Sequence, residues 1–288
     1  MAAAQGAPDG FSADGYVQAG VSWVGSDRGS YILGKGSLDV PFPGGDSLPE
    51  MGLGLSFGGL STDSVQASYV FPTFYFGTGN TRVSLGLPRS AFDLVGFGRD
   101  MAAPYGPIGL ELEAYLLESY VTLAQYSDIY MPGVRIDQKI GALDASASYL
   151  YDKGSGVRSI AASVRSPIAG RVSVFGAAEV ATDGVSSMNS YFLGVEKDGG
   201  PMRYGLQYSS SMFFGGEYAS GYVEYTVSDR LTAGATGMVF IGSADYLLGI
   251  DAKYQLGDFS LEGSYLTGGV LMDDTGVFAA NLAIGMDF

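Results

Sequence analysis

The chain of 288 residues is 47% apolar and 13% aromatic but only 16% charged, and its 15 basic against 30 acidic side chains leave a net charge of −15. It contains neither Cys nor His, which excludes disulfide scaffolds, thiolate metal sites, Ser-His-Asp hydrolases, His-ligated zinc and the HExxH class. The acidic balance also argues against nucleic acid as a partner, since phosphate binding needs clustered Lys and Arg. With most hydrolytic chemistry removed, the chain is not expected to be an enzyme. Charge is scarce against the about 25% usual in soluble proteins, yet no stretch reaches the roughly 18 uninterrupted apolar residues of a spanning helix. Forty-five glycines, with Tyr and Phe dominating the aromatics, favour many short strands. If the chain enters a membrane, it does so as a barrel.

The N-terminus, MAAAQGAPDGF, has no basic or apolar leader segment. It reads as a mature, exported sequence that begins near an A-x-A-like cleavage scar behind an added Met1. The first strand follows in GYVQAGVSW, with Val17, Ala19, Val21 and Trp23 on one face and Tyr16, Gln18, Gly20 and Ser22 on the other. Such a period of two marks a strand with unlike faces. Further strands are expected near 30–40, 51–58, 65–76 and 81–87. GLGLSFGG, from Gly52 to Gly59, lacks the GxGxxG spacing and a following helix, so it reads as strand glycines that permit close packing or bulges.

The segment 88–130 breaks this rhythm. It is far longer than any other connection and carries Asp93, Asp100, Glu111, Glu113, Glu118 and Asp128 against Arg89 and Arg99. A loop of this length in an otherwise economical chain is functional, and GLELEAYLLESY within it predicts a short helix. Eleven strands then follow, near 131–139, 143–151, 157–166, 171–181, 189–197, 202–210, 218–228, 231–241, 245–255, 259–268 and 276–288. In DYLLGIDAKYQ, Tyr246, Leu248, Ile250 and Tyr254 oppose Gly249, Asp251, Lys253 and Gln255; in RVSVFGAAEV, Val172, Val174 and Val180 oppose Arg171, Ser173 and Glu179. The last strand repeats the pattern, with Leu282, Ile284, Met286 and Phe288 against Asn281, Ala283, Gly285 and Asp287. Sixteen alternating segments, joined by tight turns such as GTGN, KIGAL and LGD at one end and longer ones at the other, predict an all-β, transmembrane, up-and-down antiparallel barrel forming a single domain over 1–288. PFPGGDSLPE is an exception among the tight turns.

Two stretches carry a family resemblance. TRVSLGLPRSAFDLV, from Thr81 to Val95, resembles the fifth strand and infolded third loop of the general diffusion porins of the Gram-negative outer membrane, above all the compact trimeric group from alphaproteobacteria. The ending Asp287-Phe288 is similar to that family's C-terminal aromatic signal. The resemblance implies an outer-membrane location, a homotrimer among lipid and lipopolysaccharide, and a third loop folded into the lumen as a constriction. The stretch GPIGLELEAYLLESY departs from the family pattern.

With the polar face inward, Lys35, Arg82, Arg135, Lys139, Arg165, Arg171, Arg203 and Lys253 project into the lumen, as do Asp39, Asp137, Glu179, Glu196, Glu224, Asp251 and Glu262. Charge on the lipid face would cost about 2–4 kcal/mol at mid-membrane for Arg or Lys. The candidate constriction places Asp93, Asp100, Glu111, Glu113 and Glu118 on the acidic side and Lys35, Arg82 and Arg135 on the basic wall, the simpler alternative being salt bridges that pin the loop. The function expected is a water-filled channel for passive diffusion of small hydrophilic solutes and ions, with a mild cation preference and no cofactor. A substrate-selective pore with a track of Tyr115, Tyr120 and Tyr126 is the alternative; a non-conducting surface anchor or adhesin would show larger external loops. Asp273 and Asp274, with Asp183 or Asp27, offer oxygen ligands of the kind calcium takes, against the plainer reading of solvated loops.

Overall fold

The computed structural model describes residues 11–43, 49–97, 102–116, 118–212, 216–243, 245–269 and 278–288; within 102–116 it describes the side chains of 104–110, 112 and 113. The N-terminal scar and the pair Asp273 and Asp274 lie outside the described residues. Before the long loop come β1 (Ser12–Val24), β2 (Asp27–Pro41), β3 (Glu50–Thr62), β4 (Gln66–Thr78) and β5 (Thr81–Gly86). The loop itself holds a 3-10 turn (Ala91–Leu94), α1 (Ala102–Leu116) and α2 (Tyr120–Tyr126). After it come β6 (Gly133–Ile140), β7 (Leu143–Tyr151), β8 (Arg158–Ala169), β9 (Val172–Thr182), β10 (Ser187–Lys197), β11 (Met202–Ser211), β12 (Gly216–Ser228), β13 (Leu231–Ile241), β14 (Tyr246–Leu256), β15 (Phe259–Gly268) and β16 (Phe278–Asp287).

Each strand pairs antiparallel with its sequence neighbours, and β16 pairs with β1, so the sheet closes on itself. The seam runs Tyr16 opposite Asp287 through Val24 opposite Ala279, and Gly15 and Phe288 extend it by exchanging two backbone hydrogen bonds of 3.0 and 2.9 Å. Closure leaves no edge strand, which is the condition for a sheet surrounded by hydrocarbon. Tight turns at one rim use glycine at positive φ, as at Gly79, Gly141, Gly170 and Gly257.

Alternation decides the two faces. Outward residues are exposed although apolar: Leu206 is 66%, Ile250 62% and Ile284 60% accessible, whereas Gln207, one residue on from Leu206, is 4% accessible. Tyr246 and Tyr254 stand near the two ends of the outward face of β14, where an aromatic body and a polar tip suit a lipid–water boundary.

The expected third strand stopped at residue 58, but β3 continues to Thr62. Glycine lets it do so. A Cβ on Gly58 would run into the Tyr69 ring, and one on Gly52 into Tyr75, both of which cross from β4 over the inner face of β3. We expect Gly58→Val to lower stability by about 1–3 kcal/mol through overpacking, read as a lower unfolding temperature of the barrel in detergent; unchanged unfolding would place the Tyr69 ring elsewhere. The fifth strand is short for a different reason. Opposite its end stands Pro72, which has no N–H to continue the ladder; its carbonyl accepts Leu87 N–H at 2.9 Å, and the chain then leaves for the lumen at Pro88.

Candidate functional site: the lumenal loop and the wall

The long loop folds into the barrel, and the sequence explains where it touches. Alternation predicted a polar inner face, but the structure places large apolar side chains there in patches, each under a matching patch of the loop. Ala91 and Phe92 pack on Ala161, Phe175, Ala177 and Phe192, with Phe92 and Phe192 edge-to-face at 4.8 Å. Val121 and Ala124 of α2 meet Tyr69, Phe71, Met131 and Leu150. Tyr105 and Leu112 of α1 join Tyr218, Met238, Leu247 and Leu266 on the far wall, while Leu110 lies on Tyr31, Leu33 and Ala283. The loop therefore has apolar seats on widely separated strands and crosses the bore between them. The signal was present as local breaks in alternation: in FPTFYF, VFGAAEV and YLL both faces carry apolar or aromatic residues.

Polar anchors fix the loop between these seats. Asp93 accepts three hydrogen bonds, from the Ser119 backbone N–H at 2.7 Å, the Ser119 hydroxyl at 2.7 Å and the Thr122 hydroxyl at 2.9 Å. It thus ties the 3-10 turn to the start of α2, whose N-cap is Ser119, accepting from Thr122 N–H. Glu179 on β9 accepts from Ser159 Oγ at 2.6 Å and from Tyr120 N–H at 2.8 Å, joining wall to loop. On the opposite side α1 bends at Gly106, where φ is +59°. A side chain there would strike the Tyr31 hydroxyl. Tyr31 donates to Asn281 Oδ1 at 2.5 Å, and Asn281 donates to the Pro104 carbonyl at 3.2 Å, so the bend is held by β2 and β16. One helix is expected from the sequence here; the structure has two, α1 ending at Leu116 and α2 starting after the Ser119 N-cap.

Among the sequence candidates, Lys35 and Glu113 meet directly, Nζ to Oε2 at 2.5 Å, with both side chains largely shielded from solvent. Glu118 is buried, 6% accessible, where its backbone N–H donates to Glu113 O at 3.0 Å. Arg82 and Arg135 are paired along the wall instead of across the bore: Arg82 with Asp39 at 2.6 Å, and Arg135 with Asp137 at 3.1 Å. Arg82 also lies over the Tyr75 ring, 3.4 Å from its centroid, and the Tyr75 hydroxyl donates to Asp39 at 2.5 Å. Asp100 lies outside the described residues, as do the side chains of Glu111 and Tyr115. Tyr120 and Tyr126 pack against the α2 seat, with Tyr126 edge-to-face on Tyr69 at 5.6 Å. Asp183 caps its own turn, accepting from Val185 and Ser186 N–H, and those bonds hold its carboxyl below the ordinary carboxylate range. Residues that the sequence did not single out for the site are Arg89, Ser119, Asn281, the aromatic seats and Gln125, whose Oε1 accepts from Val70 N–H on β4 at 2.8 Å.

Breaking the Lys35–Glu113 contact tests its role as an anchor. Lys35→Met alone leaves Glu113 shielded without its cation, and we expect a loss of about 1–3 kcal/mol, intermediate between exposed and buried pairs. The double variant Lys35→Met, Glu113→Gln should recover part of it; additivity in a thermal double-mutant cycle would show that the two do not interact.

No family model matches the chain, and no curated protein matches it. Solved structures do. An engineered variant of the Rhodopseudomonas blastica porin carrying a tryptophan substitution superposes with a TM-score of 0.70 at 16% identity, covering 96% of this chain and 100% of that one. The fold is that of a porin. A second variant of the same protein, with alanine at two basic and two acidic positions, gives a TM-score of 0.68 at the same 16% identity and coverage of 96% and 100%. A triple mutant of that porin gives 0.66. At this identity the agreement concerns architecture. The porin barrel here is a closed antiparallel sheet of sixteen strands with the loop after the fifth inside it.

Proposed function

We propose that the protein is an outer-membrane channel through which small hydrophilic solutes and ions diffuse passively. The observation that carries this reading is the division of the wall: a closed sheet presents Leu206, Ile250 and Ile284 outward, while its paired charges, Arg82 with Asp39, Arg135 with Asp137 and Arg165 with Glu196, face the lumen. A lipid belt around a charged interior suits an aqueous path across a bilayer. The infolded loop narrows that path. Acids outnumber bases by 15 in the chain, which raises cation concentration at the mouths and favours a mild cation preference.

Association as a homotrimer is part of the same proposal. On the outward face an apolar hollow of about 640 Å³, lined by Leu38, Val40, Leu53, Pro72, Phe74 and Leu85, lies beside the short β5. An apolar hollow on the outward face can receive apolar side chains of a neighbouring copy. Cross-linking in native membranes should give a three-chain species; monomers alone would remove this part. For the channel, planar bilayers should show stepwise conductance and a reversal potential of cationic sign under a salt gradient. Silent membranes with correctly folded protein would favour an anchor barrel, and an anionic sign would mean that the wall arginines dominate.

A further inference from the structure

Between the loop and the wall of β2 to β6 lies a polar recess of about 180 Å³, lined by Asp39, Ser56, Arg82, Ser84, Arg89 and Arg135 among others. Three guanidinium groups converge on it. Asp39 and Asp137 pair with Arg82 and Arg135 respectively, while Asp93, Glu118 and Glu113 act on Arg89 only through the field of their carboxylates, without an ion-pair contact. Arg89 differs from the other two. Among the described residues no carboxylate lies within ion-pair distance of it, and its guanidinium donates to one backbone carbonyl, that of Asp93 at 3.3 Å. The Nε atoms of Arg82 and Arg89 are both buried without a hydrogen-bond partner. Buried donors without an acceptor are costly, and a bound anion is one species that satisfies them. Arg135 also donates to the Arg89 backbone carbonyl at 3.4 Å, which ties its guanidinium to the start of the loop.

We infer that this recess is a binding site for a small oxyanion of the phosphate or carboxylate class. Such a ligand carries acceptor oxygens and no competing cation, and a guanidinium fork presents paired donors that match them. Ser56 and Ser84 add hydroxyls at the recess wall. The inference rests on the channel reading only for how the ligand reaches the lumen: an oxyanion entering from either mouth would be held at the arginine corner before moving on, even while cations dominate the ionic current.

Inorganic phosphate is the probe. Titration calorimetry on the folded barrel in detergent, at low chloride, should show saturable binding of one phosphate per chain, and acetate should compete. Arg89→Gln should weaken it at least about tenfold, the scale of one lost charge-assisted contact. Because Arg89 also supports the loop, Ser37→Phe provides a second variant: Ser37 lines the recess, so the added ring takes up its space and leaves every arginine in place; it should abolish binding while the barrel keeps its heat-resistant mobility on gels. Absence of saturable binding to the unmodified barrel, or binding that survives Ser37→Phe, overturns the inference whether or not the barrel conducts. Binding without bilayer conductance would support the site and remove the channel reading; conductance without binding would do the reverse.

Discussion

Ile250→Arg should lower the stability of the inserted barrel by about 2–4 kcal/mol, whereas Ser264→Arg should be tolerated. The two positions lie at nearly the same depth, since Ile250 pairs with Tyr265 and Ser264 with Asp251, but they point to opposite sides of the wall. Ile250 is in the middle of the outward face of β14, and an arginine there places its charge in hydrocarbon at a cost of about 2–4 kcal/mol. An arginine at Ser264 faces the lumen opposite Asp251, with which it can pair. Refolding into lipid vesicles, followed by urea titration, reads both. Equal stability of the two variants would mean that this barrel does not sit in lipid with its apolar face outward.

The second large effect concerns the loop. Asp93→Ala removes the acceptor for three short hydrogen bonds and leaves the Ser119 N–H and hydroxyl and the Thr122 hydroxyl to find other partners. Buried donors without acceptors cost about 1–3 kcal/mol each. The start of α2 and the 3-10 turn should therefore separate, and with them the joint that keeps the loop across the bore. The apolar seats under Phe92 and Val121 remain, so the loop should fluctuate instead of leaving the lumen. On the channel reading, single-channel records should show larger and noisier conductance, with the barrel still closed and heat-resistant. Conductance and noise equal to the unmodified protein would mean that Asp93 does not hold the constriction.

Much of the architecture is legible in the sequence. The alternation of GYVQAGVSW, DYLLGIDAKYQ and the terminal strand depends on a backbone rule, side chains pointing to opposite faces at successive residues, so it survives without knowledge of neighbours. All sixteen strands occur in the expected order, and β7, β13 and β15 have the expected bounds. The end of β3 was less legible. Gly58 and Gly59 read as strand glycines, but only the approach of the Tyr69 ring over Gly58 from the next strand shows which close packing they serve and why the ladder continues past them.

The candidate site divides along the same line. That Lys35, Arg82 and Arg135 face inward follows from local periodicity, as does the inward position of Asp39 and Asp137. Which charge meets which does not, because strand register and loop path bring together residues separated by 78 positions in Lys35–Glu113 and by 43 in Arg82–Asp39. Pairing energies depend on distances of a few ångströms, and those distances exist only after the barrel closes and the loop enters it. The sequence by itself determined the strand count, the lipid-facing row and the composition of the loop, all set by neighbours along the chain. Only the tertiary structure decided the apolar seats, the bend at Gly106 and the partners of each charge, since these are set by contacts across the bore.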